Sequence, residues 1–188
     1  MGGEERNNEL TAVPVLETAR LRLRPFAPAD APRVRALAGD ERVAAMTLNI
    51  PHPYPAGAAE VWIAGHAPGA AAGTLYSFAI ERREDGLLLG AIGITPEPRH
   101  RRAEIGYWLG VDYWGRGYMT EAARRVVAFG FATLGLRRIQ ATCLPRNPAS
   151  ARVMQHAGMR YEGLLRSYID KDGTDEDIAM YAIVRGDE

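Results

Sequence analysis

From Tyr118 to about Leu134 the residues Met119, Ala122, Ala123, Val126, Val127, Gly130, Phe131 and Leu134 keep the i, i+3, i+4, i+7 spacing of one helical face. A stripe of that width must be covered, and the chain offers strands to cover it. "ARLRLRPF" alternates Leu21 and Leu23 with Arg20, Arg22 and Arg24, the period of a half-buried strand. "TLYSFAIER" and "LLLGAIGIT" read as a second and third strand joined around Asp85-Gly86. "AEIGYWLGV" is the fourth and "RRIQATCL" the fifth, while "GMRYEGLLRSYI" and "EDIAMYAIVR" close the chain as a hairpin around Lys171-Asp172-Gly173. Three further helices are expected: one over Ala31 to Ala38 capped by Asp30 and ended by Gly39, one through Trp62 and Ile63 after the loop "NIPHPYPAG", and one over Pro148 to His156 stopped by Gly158. This pattern predicts an α/β or α+β fold, a mixed sheet with helices on its faces.

The chain has 188 residues, 47% of them hydrophobic, with no repeat and no second composition regime, so one domain is expected over residues 14–188 behind a flexible head over residues 1–13. The opening "MGGEERNNEL" lacks the basic and apolar regions of a secretion signal, and Arg6 stands where a myristoylation signal needs Ser or Thr. No apolar run approaches the roughly 18 residues that span a bilayer, so no membrane partner is expected. Formal net charge is zero, so no general field draws the chain to nucleic acid, and any bound anion must be held locally. The single cysteine, Cys143, excludes an intramolecular disulfide framework and suits a reducing cytoplasm.

The turn that enters the long helix, "WGRGYMT", is a candidate for holding such an anion, because a helix N-terminus exposes unpaired N–H groups and a positive dipole end. A Walker loop is absent, and the only lysine, Lys171, lies far away in sequence. The dinucleotide fingerprint fails too, since its third glycine would fall on Thr120.

The turn does resemble the acyl-CoA turn of the GNAT N-acyltransferases. Of the generic Gln/Arg-x-x-Gly-x-Gly/Ala pattern only Gly117 matches, but Trp114 to Tyr118 resembles the Trp-Gly-x-Gly-Tyr form of the ribosomal-protein N-terminal (RimJ/RimL-like) branch. Asn147 and Gly158-Met159 reproduce the family's interval of eleven residues, and Asn147 to Ser150 its Asn-x-x-Ser. "ETARLRLRPFAPAD", "PHPYP" and "AEIGYWL" are similar to the branch's opening strand, its loop and its fourth strand, so the resemblance runs in order from Glu17 to Arg185. It implies a GNAT fold whose mixed, mostly antiparallel sheet splays between the fourth and fifth strands, with acetyl-CoA as cosubstrate. It implies coenzyme contacts at Gly115, Arg116, Gly117, Tyr118, Met119, Thr120, Asn147 and Ser150, and acyl binding by backbone groups of Leu109, Gly110 and Val111. Branch relatives are often homodimers.

Acyl transfer to an amine requires a neutral amine, a polarised carbonyl and a proton for the leaving thiolate. Glu104, in the fourth strand, fits a general base acting through water, and equally a surface carboxylate paired with Arg102. The family's usual acid, a tyrosine seven residues after the Asn, is Met154 here. Ser150 is the expected substitute at the thiolate, with a helix cap as its other reading. Tyr54, Trp62 and Tyr168 fit the acceptor cleft or plain packing. Cys143 reads as a buried strand residue, and His52, His66, His100 and His156 lack ligand spacing, so no metal is expected. "DKDGTDED" places its glycine too early for a calcium loop. The expected activity is acetyl transfer to a primary amine, possible acceptors being a protein N-terminus, as in ribosomal proteins, or a small aminoglycoside-like or polyamine-like molecule. A non-catalytic acyl-CoA-binding module is the alternative.

Overall fold

The computed structural model describes residues 10–187. Its strands are β1 (Leu16–Glu17), β2 (Leu21–Arg24), β3 (Tyr76–Arg82), β4 (Leu88–Glu97), β5 (Arg102–Leu109), β6 (Arg138–Cys143), β7 (Arg160–Lys171) and β8 (Thr174–Val184). Its α-helices are α1 (Ala31–Ala38), α2 (Glu41–Met46), α3 (Ala58–Ala64), α4 (His66–Ala71), α5 (Tyr118–Ala132) and α6 (Pro148–His156). The strands form one sheet in the order β1-β2-β3-β4-β5-β6-β8-β7. Every neighbouring pair is antiparallel except β5 and β6.

That parallel pair is short. β5 and β6 are in register only from Arg102↔Arg138 to Glu104↔Gln140. Beyond Glu104, β5 stays with β4 as far as Leu109↔Gly90, while β6 stays with β8 as far as Cys143↔Ala179. The sheet therefore splays between these two strands, and Glu104 stands where they part.

Period-2 alternation gives β5 two faces. Ala103, Ile105 and Leu109 are buried in the main core with the α5 stripe, including Ala122, Ala123, Val126, Phe129 and Phe131. α5 approaches the sheet closely at Gly130, where a Cβ would lie 2.6 Å from Ile139 Cδ1 and 3.0 Å from Ile94 Cδ1. The other face of β5 carries Glu104, Gly106 and Trp108, and Trp108 packs on a smaller cluster of α1 and α3 residues, Ala31, Val34, Ala38, Ala59 and Ile63.

Several expectations need correction. The strand expected as the fourth is β5, and the fifth is β6, because Leu16–Glu17 forms a short strand of its own against Arg22 and Leu23. Asp30 does not cap α1: its carboxylate accepts from the Ala27 N–H at 2.8 Å and from both Arg24 Nη atoms at 2.7 and 2.9 Å, so the ion pair has taken the capping oxygens. α2 and α4 were not expected; α2 has its own cap, Asp40, which accepts from the Arg42 N–H. Of the head expected over residues 1–13, residues 1–9 lie outside the described residues. Leu10 and Val13 pack on the core, and the Tyr76 hydroxyl donates to the Leu10 carbonyl at 2.8 Å, so packing begins before residue 14. No helix among the described residues is long and apolar enough to cross a membrane.

Candidate active site

The Gly-Arg-Gly turn folds as it does because two of its residues take φ values that side chains disfavour, +71° at Gly115 and +76° at Gly117. Gly117 is the N-cap of α5 and no side chain caps that end. The first acid of the helix, Glu121, is turned away to anchor it: Glu121 accepts from Thr18 Oγ1 at 2.6 Å, Arg20 Nε at 2.7 Å and the Arg20 N–H at 2.9 Å. Burial alone would raise the Glu121 carboxyl, but these donors outweigh it and hold the group below the usual carboxylate range. Arg20 also donates to the Arg116 carbonyl at 3.0 Å and lies over the Tyr118 ring. The turn is thus braced from β2, with its N–H groups uncapped.

A cavity of about 920 Å³ runs from this turn across the splay to α3. Gly115, Gly117, Tyr118, Met119 and Thr120 line one end, Asn147 and Ser150 of α6 flank it, and Glu104, Tyr54 and Trp62 line the rest. Arg116, Gly110, Val111 and Tyr168 are not lining residues. Tyr168 sits on β7 with 60% of its surface exposed, because β7 is an edge strand far along the sheet order from β5, so its expected place in the acceptor cleft is corrected. Of the expected acyl-binding backbone groups, several are already engaged. The Leu109 carbonyl accepts from Trp114 Nε1 at 2.8 Å, the Gly110 N–H donates to Leu89, and the Gly110 and Val111 carbonyls accept from Tyr113 and Trp114. The Val111 N–H lies outside these bonds.

The two readings of Glu104 separate here. Arg102 pairs with Glu97 at 2.6 Å, not with Glu104. The Glu104 carboxylate instead accepts from Thr142 Oγ1 at 3.2 Å and Gln140 Nε2 at 3.3 Å, two neutral donors on β6. It faces the cavity without an ion-pair partner among the described residues.

The readings of Ser150 separate as well. The cap of α6 is Asn147, whose Oδ1 accepts from the Ser150 N–H at 3.0 Å while its Nδ2 donates to the Met46 carbonyl at 3.1 Å. Both ends of that amide are occupied, and the Ser150 hydroxyl is spared the capping role. Its partner is Tyr107, which the sequence reading passed over: Tyr107 Oη lies 2.9 Å from Ser150 Oγ and 3.2 Å from the Ser150 carbonyl. Burial pushes the Tyr107 phenol well above its ordinary value, only partly offset by the Ser150 hydrogen bond, so it stays protonated. Met154 is buried in the core, and Cys143 is a buried free thiol raised by burial.

A second residue the sequence did not single out is His66, with 5% of its surface exposed, which lines the α3 end of the cavity beside Trp62 and Phe26. Neither ring nitrogen has a hydrogen-bond partner among the described residues. Burial lowers the imidazole from the ordinary 6.5 to about 4, so the ring is neutral near pH 7. No group of three or more metal-binding side chains occurs among the described residues.

Residues 20–160 match the model of the acetyltransferase (GNAT) domain. The chain is 42% identical over 107 residues to the uncharacterized N-acetyltransferase YoaA of Bacillus subtilis, a match covering 56% of this chain and 60% of YoaA, so it spans less than two thirds of that relative. Among solved structures it is similar to Mycobacterium smegmatis RimJ in complex with CoA-disulfide, with TM-score 0.83 and 28% identity over 94% of this chain and 90% of RimJ. It is also similar to a GNAT-family acetyltransferase from Bacillus anthracis, with TM-score 0.81 and 27% identity over 91% of this chain and 98% of the other. With a domain match over well more than half its length, the chain belongs to the GNAT acetyltransferase family.

Proposed function

We propose that the protein transfers an acetyl group from acetyl-CoA to a primary amine by direct attack within a ternary complex, and that the amine is the α-amino group of a peptide or a small molecule. The observation that carries this reading is the position of Glu104, a cavity-facing carboxylate with no cation at the point where β5 and β6 part. The similarity to a RimJ bound to CoA-disulfide supports the cosubstrate.

Acetyl-CoA supplies the thioester carbonyl. The uncapped turn Gly115–Thr120 holds its pyrophosphate through backbone N–H groups, the positive end of α5 adding to their attraction. Glu104 takes a proton from the incoming ammonium, directly or through water, and the freed lone pair forms the new C–N bond. The C–S bond breaks as the thiolate leaves, the second proton lost by the nitrogen passes through water to the sulfur, and Ser150 Oγ hydrogen-bonds that sulfur. The buried Tyr107 phenol, 2.9 Å from Ser150 Oγ, positions that hydroxyl beside the place proposed for the sulfur.

Calorimetric titration with acetyl-CoA tests the cosubstrate site, comparing the protein with Gly117→Glu, whose carboxylate would stand at the helix N-terminus. Binding that disappears in a folded variant supports the site. A folded wild type with no affinity for acetyl-CoA refutes it.

A further inference from the structure

The acceptor half of the cavity has a floor of small residues. On the face of the sheet that carries Glu104, the register sets Thr95 opposite Glu104, Gly93 opposite Gly106, and Ala91 opposite Trp108, with Ser77 beside Gly93. All of these line the cavity. A Cβ built on Gly106 would meet nothing within 4 Å, so the space above it is open. Along the strand Glu104 and Trp108 lie about 13 Å apart at Cα, enough to seat an amine and a ring between them. The far wall is aromatic: the Trp108 and Trp62 rings are 6.4 Å apart, and Trp62 meets His66 edge to face at 4.4 Å.

Charge narrows the occupant. Glu104 is the only Asp or Glu lining the cavity among the described residues. An aminoglycoside or a polyamine carries several ammonium groups and needs a carboxylate or equivalent for each one it buries. Here one carboxylate is available, and it serves the reacting amine. His66 cannot take a second ammonium as an ion pair, but its unpartnered ring nitrogens offer a neutral hydrogen-bonding edge at the aromatic end.

We infer that the acceptor is a primary monoamine whose amino group is followed by one apolar, ring-sized body, held over Gly106 against Trp62, Trp108 and His66. This rests on the acetyl-transfer reading of the same site. A peptide with an N-terminal aromatic residue and a free arylalkylamine both present this chemistry.

The test is calorimetric binding to the CoA-saturated protein of Phe-Gly-Gly, 2-phenylethylamine and spermidine, with thiol release from acetyl-CoA measured on the same samples. At least one of the two aromatic amines should bind about tenfold or more tightly than spermidine, from burial of the ring. Whichever binds identifies the source. The plug variant Gly106→Val has open space at its Cβ, suits an extended strand and should retain CoA binding, yet lose that amine. Spermidine binding as tightly as both aromatic amines, no binding by either, or unchanged aromatic binding in Gly106→Val overturns the inference. Thiol release reports separately on the chemistry: aromatic binding without release refutes acetyl transfer and leaves the pocket assignment standing, while release with spermidine alone does the reverse.

Discussion

His66 gives a stability effect whose size can be worked from the fold. Its imidazole is enclosed by Phe26 and Trp62 at ring distances of 5.2 and 4.4 Å, with both nitrogens unpartnered. Charging it in the folded state is therefore costly, and its value falls from 6.5 to about 4. The depressed value fixes the sign: the unfolded chain takes up the proton first, so the stability is fully present above pH 6.5 and is lost as pH falls toward 4. At about 1.4 kcal/mol per unit the whole shift amounts to about 3 kcal/mol, and about 2 kcal/mol of it has gone by about pH 5. His66→Phe keeps the ring contacts and removes both nitrogens. Carboxylate titrations are common to both proteins and cancel. Urea unfolding at about pH 7 and about pH 5 should show the variant gaining about 2 kcal/mol on the wild type as pH falls, or about 4–8 °C in Tm. A gap that stays constant within about 0.5 kcal/mol refutes the reasoning, since it means that the imidazole is solvated or partnered in the folded protein.

Glu104→Gln can keep its contacts with Thr142 and Gln140 by turning amides, so unfolding should shift by less than about 0.5 kcal/mol while kcat/KM for Phe-Gly-Gly at about pH 7 falls about 100-fold. The defect should shrink toward about pH 9, where an α-amino group of pKa about 7.7–8.0 is already neutral. Gly90→Ala would press a Cβ into the Trp108 carbonyl and Leu109 Cα, backbone atoms of β5 that cannot yield alone, and should cost about 3 kcal/mol or more in denaturant unfolding. Gly130→Ala meets only side-chain tips and gains about 1 kcal/mol of helix propensity, so its net loss should be smaller, about 0–2 kcal/mol. Asp30→Asn breaks the Arg24 pair and should cost about 2 kcal/mol near neutrality. Burial raises the Asp30 carboxyl, but Arg24 and the Ala27 N–H outweigh it and lower the group below 3.8, so that contribution is present above this value and fades as pH falls, and acid-unfolding curves of variant and wild type should converge.

The sheet was legible because β2 alternates and the continuous apolar runs of β3 and β4 meet at a turn signal, and α5 because its stripe is regular to Phe131. The sequence reading placed its C-terminus at about Leu134, whereas the helix ends at Ala132. α2 and α4 escaped because each is six residues long and carries too few apolar positions to show a period. Asp30 has the sequence of a cap, but its carboxylate is taken by Arg24, six residues earlier, and by the Ala27 N–H, and the geometry of the turn that brings them together is not carried by residue type alone. Tyr168 was assigned to the cleft by residue type alone, and its strand lies at the sheet edge. Within the site, Glu104, Ser150 and the turn were visible through motif and interval. Tyr107 was not, although it follows Ala103 and Ile105 on the buried parity of β5 and is a polar-tipped residue there, the one local sign of a role. His66 showed no signal at all, since its burial is made by Phe26, forty residues away, and by Trp62.

The parity of β5 also explains why the two substrates need not compete for space. Odd positions, Tyr107 and Leu109, face α5 and α6 and the turn that begins α5; even positions, Glu104, Gly106 and Trp108, face α1 and α3. A continuous sheet would keep these faces apart, because paired strands lie only about 4.8 Å from each other. The loss of β5–β6 pairing after Glu104 opens a passage between them at the residue proposed to accept the proton. On this reading the splay is what lets a thioester carbonyl from one face meet an amine from the other, and a carboxylate placed one pair earlier, inside the ladder, would lie back from that opening. The parallel register that ends at Glu104↔Gln140, together with Gln140 and Thr142 donating to the carboxylate, fixes the proposed base at the edge of the gap.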